Sequence, residues 1–415
     1  MEFGGGWEGV LLQRYNQLMK NALTSIAARF GDSFDVIESH LQTALASAAD
    51  PERSLVYLER LLESGDEALL TAFVKNPRFV ESLITIFSGS EFLTEIILRD
   101  PKNVGLLYQR KSLTQRKNAE QIHAEAGKLI DPAPVGQRRG ESEYEDVLNA
   151  LRLYQRSEIL RIGVSDLLTL YDLATVTQQL SNLADGLVRA CLDLASLRSG
   201  ISPNGFVVIA MGKHGAQELN YSSDIDLLFI SANDPIEKLK LGQHLIDAIG
   251  KVTAKGFLYR VDMRLRPWGR DGFLVTSAEG YLQYVQGHAR LWEKQALLKA
   301  RPIAGDTKLG EILLLQVEPH IFSHVSEEVR ASVFAMKQRT EQILQQKGRE
   351  WGEVKLGEGS IRDVEFVVQY LQLAHGQQYP DLHRRATLQV LPRLARHRLL
   401  SQEEVRILID GYTLL

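Results

Sequence analysis

Three aspartates carry the chemistry that this sequence most readily allows. Asp224 immediately precedes, and Asp226 lies within, an apolar run, Ile225 to Ile230 (IDLLFI), that reads as a buried strand. Side chains alternate along a strand, so the two carboxylates share one edge while Ile225 and Leu227 point into the core. Such a pair repels itself and needs a counter-ion, and hard oxygen ligands at this spacing suit one or two Mg²⁺ ions, for which Mn²⁺ can substitute. Asp262, in Arg260 to Arg266 (RVDMRLR), brings a third acid from another predicted strand. Together the three have the makings of a two-metal phosphoryl-transfer centre, with each acid both metal ligand and catalytic residue. Taken alone, an Asp-x-Asp is as readily a solvated strand end.

The residues around the acids sharpen the reading. Met211 to Ser223 (MGKHGAQELNYSS) leads into them. Its Gly212 and Gly215 let backbone N–H groups approach a phosphate, and Ser222 and Ser223 can hydrogen-bond phosphate oxygens; the competing reading is an ordinary turn. Lys213, Arg264 and Arg266 are candidates for phosphate contacts, and strand alternation puts both arginines on the Asp262 face. Surface ion pairs are the alternative for all three. Arg362 and Glu365, three apart on a predicted helix, are expected to pair and organise a domain contact. His320 and His324 have a metal-compatible helical spacing, but no acid or cysteine pattern accompanies them, so they read as surface histidines.

These side chains need a scaffold to hold them. Phe206 to Met211 (FVVIAM), Ile225 to Ile230 and Phe257 to Met263 (FLYRVDM) are predicted strands, with a helix over Lys238 to Ala254. Most of the rest follows helical periodicity: Val10 to Ala28, Phe34 to Ala48, and Tyr144 through Leu197. Asp50 can cap a helix that Pro51 opens and Gly65 ends, with Leu55, Leu58, Leu61 and Leu62 on one face. Ser326 can cap another, whose apolar face is Val329, Val333, Met336, Ile343 and Leu344. The expectation is a predominantly helical α+β protein: a helical region over residues 1–198 with an exposed connection near 131–143, a catalytic core over 199–306 and a helical bundle over 307–415. Met1 to Gly6 (MEFGGG) reads as a cloning remnant or a frayed end. The apolar helical pattern running to Leu414 and Leu415 reads as a cut C-terminus.

Composition narrows the partners. A formal net charge of -4 over 415 residues gives no global reason to bind nucleic acid or an anionic membrane. No apolar run approaches the roughly 20 residues needed to span a bilayer, and no export signal opens the chain, so a cytoplasmic protein acting on a protein or small molecule is expected. The single cysteine, Cys191, excludes an intrachain disulfide and reads as a buried small hydrophobe.

The stretch Ala210 to Phe229 (AMGKHGAQELNYSSDIDLLF) closely resembles the nucleotidyltransferase core of the bacterial glutamine synthetase adenylyltransferase and adenylyl-removing enzyme family. Arg260 to Pro267 (RVDMRLRP), Trp292 to Asp306 (WEKQALLKARPIAGD) and Lys355 to Gln369 (KLGEGSIRDVEFVVQ) carry the same resemblance, and Arg156, Glu158 and Arg161 match it too. It implies a small polymerase-β-like sheet core flanked by helical bundles. It also implies Mg²⁺ held by Asp224, Asp226 and Asp262, with glutamine synthetase as substrate, phosphate, ADP or ATP as co-reactant, and a PII signal protein and glutamine as regulators. The family joins two homologous halves, one adding AMP to a synthetase tyrosine and the other removing it by phosphorolysis, and this chain resembles one half.

The wording Asn220 to Asp226 (NYSSDID) is more similar to the removing half, whereas Trp292 to Leu297 (WEKQAL) is close to both. ATP-dependent addition of AMP, or a silent module that binds the synthetase or a PII protein, are the alternatives. His214 stands where the family usually has leucine, and Ala216 replaces a common second glycine. That alanine costs little at negative φ and strains a turn that requires positive φ.

Overall fold

A computed structural model of the chain describes residues 19–63, 67–108, 110–130, 140–322, 326–348 and 353–414. Residues up to Arg116 together with Leu153–Val176 form one compact unit, and Lys117–Arg152 together with Thr177–Leu415 form another. The first unit is helical. Asp50 accepts a hydrogen bond from the Arg53 N–H at 3.0 Å and so caps the helix Pro51–Glu63, which buries Leu55, Leu58, Leu61 and Leu62 as its periodicity predicts. This face joins Ile37, Leu41, Leu83, Phe87 and Ile97 in one continuous core. Arg161 and Glu158 form a buried ion pair at 2.9 Å, and the Arg161 guanidinium also donates to the Gln115 carbonyl at 2.6 Å, so these two residues brace the scaffold.

The second unit holds the sheet. β1 (Phe206–Met211) pairs antiparallel with β2 (Ile225–Ser231) on one side and with β5 (Arg301–Gly305) on the other. The far edge of β2 carries two short parallel strands, β3 (Val261–Asp262) and β4 (Val275–Ser277). β1 is buried at every position, as expected of an apolar central strand covered on both faces. On one face Val207, Ile209, Met211, Leu228 and Ile230 meet Tyr281, Val285, Leu313 and Val317 of helices Ala278–Gly287 and Thr307–Ile321. On the other, the helix Pro235–Gly250 approaches so closely that a Cβ at Gly242 would lie 3.1 Å from the Phe229 ring. A satellite core under the helices Ile361–His375, Thr387–Arg396 and Gln402–Leu414 closes the C-terminal region.

Several expectations need correcting. The strand predicted over Phe257 to Met263 is reduced to Val261–Asp262, because the Leu258 and Tyr259 N–H groups donate back to the Ile249 carbonyl at the end of the preceding helix. Fully buried Arg152 holds that end: its guanidinium donates to the carbonyls of Ala248, Lys251 and Gly256. The helical periodicity over Tyr144 to Leu197 is borne out by two helices, Glu141–Leu167 and Leu173–Ser199. In the helix Ser326–Gln346, Val329 and Leu344 are buried but Ile343 is exposed. Gly65, His324, residues 1–18 and most of the expected 131–143 connection lie outside the described residues, as does the Ser326 side chain.

Candidate active site

The turn that leaves β1 is built for close approach. Met211 stands opposite Asp226 in the β1–β2 register. The next residue, Gly212, has φ +54°, and a Cβ there would lie 2.4 Å from Asp226 Oδ2, so only glycine fits both the backbone and the carboxylate. A single helical turn follows, Gly212–Gly215. A Cβ at Gly215 would collide with the Lys299 carbonyl at 2.0 Å, which makes this glycine a packing requirement. Ala216 has φ -76° and ψ -6°, an ordinary helical conformation that alanine adopts without strain. The left-handed position falls one residue later, on Gln217 at φ +59°, and again on Ser222 at φ +44°.

The three acids meet across two strands. Asp226 and Asp262 are in register on parallel neighbours β2 and β3, so their side chains leave the same face, and Asp224 lies on that face two residues earlier. Burial, then the charges of Asp262 and Asp224, push the Asp226 carboxyl up to about 6. Asp262 is held below the usual carboxylate range, chiefly by the Arg264 guanidinium, whose Nε donates to Oδ2 at 2.7 Å. Arg260 Nε donates to Asp224 Oδ1 at 2.5 Å and its Nη2 to the Ser222 carbonyl at 2.8 Å.

Asp226 forms no ion pair among the described residues, which leaves a self-repelling charge at the centre. An all-oxygen donor set with one uncompensated carboxylate is what a hard divalent cation needs. Among the described residues no three Asp, Glu, His or Cys side chains stand, as they are now placed, where they could together hold a metal ion. Ligation would require Arg260 and Arg264 to release the outer two acids.

The cations sort differently from their sequence order. Arg264 stays at the acids, and it is largely exposed. Arg266 does not: β3 ends at Asp262, so strand alternation stops there. The Arg266 guanidinium instead donates to the Met263, Arg270 and Gly272 carbonyls at 2.9, 2.8 and 3.0 Å, and it acts as a strut for its own loop. Lys213 is partly buried, and burial pulls its ammonium below the ordinary lysine range despite the nearby carboxylates of Glu365 and Glu218. Ser222 is exposed at the lip of the site and Ser223 is half-buried beside it. Three cations near the acids escaped the sequence reading: Arg260, Arg270 and Lys355, whose charges act on Asp224, Asp262 and Asp226 respectively. The alternation that selected Arg264 also selects Arg260, so that one was accessible. Lys355 is 129 positions from Asp226 (355 minus 226) and no local pattern links them.

Beneath the turn lie two buried ion networks. His214 Nε2 meets Asp185 Oδ1 at 2.8 Å, and Arg301 grips Asp185 through both terminal nitrogens at 2.6 and 3.1 Å while donating to the His214 and Gly215 carbonyls. Burial works against the Asp185 charge, but the His214 hydrogen bond and Arg301 hold its pKa low. His214 therefore anchors the turn from below.

In the second network, Lys299 Nζ bridges Glu218 at 3.0 Å and Glu365 at 2.8 Å, and Glu218 accepts the Thr387 N–H at 2.6 Å at the start of a C-terminal helix. The expected Arg362–Glu365 pair is thus replaced: Glu365 serves Lys299, and Arg362 lies over the Phe366 ring at 5.4 Å. His320 bonds to Gln286 at 3.3 Å. Cys191 is fully buried, with its thiol pushed up to about 12 by burial. No helix among the described residues is long and apolar enough to cross a membrane.

A cavity of about 500 Å³, lined by Arg198, Lys240, His244 and Lys251 among others, lies on the outer side of the helix Pro235–Gly250. That helix covers the Phe229 face of the sheet, opposite the acids, so the cavity is separate from the acidic centre.

Residues 80–315, more than half of the chain, match the family of the glutamate-ammonia ligase adenylyltransferase, and residues 328–415 match that of the GlnD PII-uridylyltransferase. The chain is 36% identical, over 91% of its length, to a bifunctional glutamine synthetase adenylyltransferase/adenylyl-removing enzyme of Pseudomonas aeruginosa. It is 34% identical, over 81%, to the enzyme of the same name from Hahella chejuensis, and 32% identical, over 88%, to that from Thioalkalivibrio sulfidiphilus. It covers 40%, 36% and 39% of those relatives, so it spans less than half of their length. With a family match over more than half of its residues, the chain belongs to the glutamate-ammonia ligase adenylyltransferase family.

Proposed function

We propose that this chain catalyses the Mg²⁺-dependent phosphorolytic removal of AMP from adenylylated glutamine synthetase, releasing ADP and an unmodified tyrosine. One observation supports this above the others: Asp226 and Asp262 stand in register with Asp224 alongside, and Gly212 is pressed against Asp226 where no side chain fits. In the reaction an oxygen of inorganic phosphate forms a bond to the adenylyl phosphorus, the bond from phosphorus to the tyrosine oxygen breaks, and that oxygen takes up a proton. Two anionic reactants meet, so charge neutralisation and in-line positioning supply most of the barrier reduction.

Asp224, Asp226 and Asp262 would hold Mg²⁺, with Mn²⁺ a substitute, and the bound ions supply positive charge at the reacting phosphate. Asp226 must lose its proton to serve as a ligand. Arg260 and Arg264, once released by the acids, become donors for phosphate oxygens, joined by Lys213 and Lys355. The glycine turn offers backbone N–H groups, and Ser222 and Ser223 offer hydroxyls at the entrance. The direction of transfer rests on the wording of Asn220 to Asp226. A cytoplasmic setting, and a PII signal protein and glutamine as regulators, accompany this reading.

Incubation of the protein with adenylylated synthetase, phosphate and Mg²⁺ should release ADP in step with loss of the AMP label. Pyrophosphate released from ATP and unmodified synthetase, with no ADP in the first assay, would reverse the direction. Stable binding of the synthetase with neither reaction would make the chain a docking module.

A further inference from the structure

The loop that leaves the third acid is rigid, basic and aromatic, and its aromatic rings face solvent. Phe273 is 86% exposed and Trp268 62% exposed, values at which side chains of this size contribute little to their own fold. Their backbone is nevertheless tightly fixed. Arg266 donates to three carbonyls within the loop, as described above, and a Cβ at Gly272 would collide with the Pro267 carbonyl at 1.7 Å. Trp268 itself takes φ +63°, a left-handed conformation that costs a non-glycine residue about 1–2 kcal/mol. One edge of its ring rests on Tyr284, with centroids 5.2 Å apart, and Tyr284 is in turn tied to Glu293 at 2.6 Å. Strain of this kind persists where the surroundings over-determine it, and it concentrates at ligand clamps.

We infer that Arg264–Phe273 is the surface on which the protein substrate's segment flanking the modified tyrosine docks, with Trp268 and Phe273 as its apolar anchors. The inference rests on the nucleotidyl-transfer reading, and it names where the macromolecular half of the substrate sits. The loop begins two residues after Asp262, so it borders the acids and lies within reach of a chain that delivers its side chain to them. Exposed Arg264 and Arg270 on the same loop favour a segment that carries a phosphodiester and acidic neighbours. Large aromatics with an arginine are the residue types that dominate binding hot spots. A loop already fixed in place loses little conformational entropy when the partner arrives.

Phe273→Ala tests the inference, because this exposed ring is dispensable for folding; Trp268→Phe, which keeps a ring against Tyr284, is the second variant. Two substrates are compared: adenylylated synthetase and the phenyl ester of AMP, which presents the same phosphorus and an aryl leaving group without the protein. Phe273→Ala should raise KM for the synthetase about tenfold with kcat little changed, and leave ester phosphorolysis within about twofold. Direct binding of the synthetase to Phe273→Ala should weaken by a similar factor. Unchanged KM and affinity for the synthetase would overturn the inference, and so would an equal loss on both substrates, which would assign the rings to the adenine base. Failure of the underlying reading shows elsewhere, as a wild-type protein inactive on both substrates, and the binding measurement still decides the docking claim in that case.

Discussion

The two sides of the β1–β2 connection are opposites. Below the turn, Asp185 and Glu218 are buried, Glu365 is largely so, and each is met by Arg301 or Lys299 at 3.0 Å or less. Above it, Asp226 has two other acids as neighbours and no ion-pair partner among the described residues, and the arginines that serve Asp224 and Asp262 are mostly exposed. Paired charges fix a shape, whereas a carboxylate crowded by other carboxylates favours a cation. The difference fits a stabilising role for the lower side and the proposed chemistry for the upper.

The sharpest way to break this contrast is to swap its consequences. Asp226→Asn should lower turnover by about 10³-fold or more, with thermal stability unchanged or raised, since it removes repulsion in the metal-free protein. A variant that unfolds instead would make the acid structural. On the lower side Lys299→Met leaves Glu218 and Glu365 as uncompensated buried charges and should cost about 3–5 kcal/mol of stability, measured by denaturant unfolding. Stability within about 1 kcal/mol of wild type would show that the network is ornamental to folding.

Acid titration separates the two sides by sign. Asp185 and Glu365 are held below their ordinary values, against burial, by Arg301 and His214 and by Lys299. They contribute stability that is full above about pH 4–4.5 and is lost as pH falls through their folded pKa. Asp226 works in reverse. Its folded carboxyl keeps a proton up to about 6, so in the metal-free protein folding stability declines as pH rises from about 4 through 6. Melting curves of wild type and Asp226→Asn should therefore diverge over that interval and run parallel below it, and parallel curves throughout would remove the conflict at Asp226. The smallest expected effect is at Ala216, where φ is helical: Ala216→Gly should destabilise by about 0.5–1 kcal/mol. A gain in stability would show that the turn wants glycine there after all.

The upper side was far more legible in sequence than the lower. Asp224 and Asp226 declare themselves because strand alternation is local, and the apolar runs of β1 and β2 reflect burial that holds in any partner arrangement. β5 was missed because Arg301–Gly305 contains proline and glycine and becomes a strand only by pairing, through a bulge, with β1. β4 has three residues and no periodicity to read. Arg266 was misplaced because alternation was extended beyond the last paired residue, Asp262.

The lower networks join residues 81 and 116 positions apart, Glu218 to Lys299 and Asp185 to Arg301, and such partners leave no mark on either local pattern. His214 shows the consequence. It stands where the family usually has leucine, and the structure shows it bonded to Asp185 beneath the site.

Diffraction from crystals soaked in Mn²⁺, recorded at the manganese absorption edge, tests most directly whether the acids at the sheet edge hold a divalent cation. An anomalous peak is expected among Asp224, Asp226 and Asp262, with the Arg260 and Arg264 guanidinium groups swung away from the carboxylates. A density-free edge with both arginine pairs intact, at a Mn²⁺ concentration that supports turnover, would contradict it.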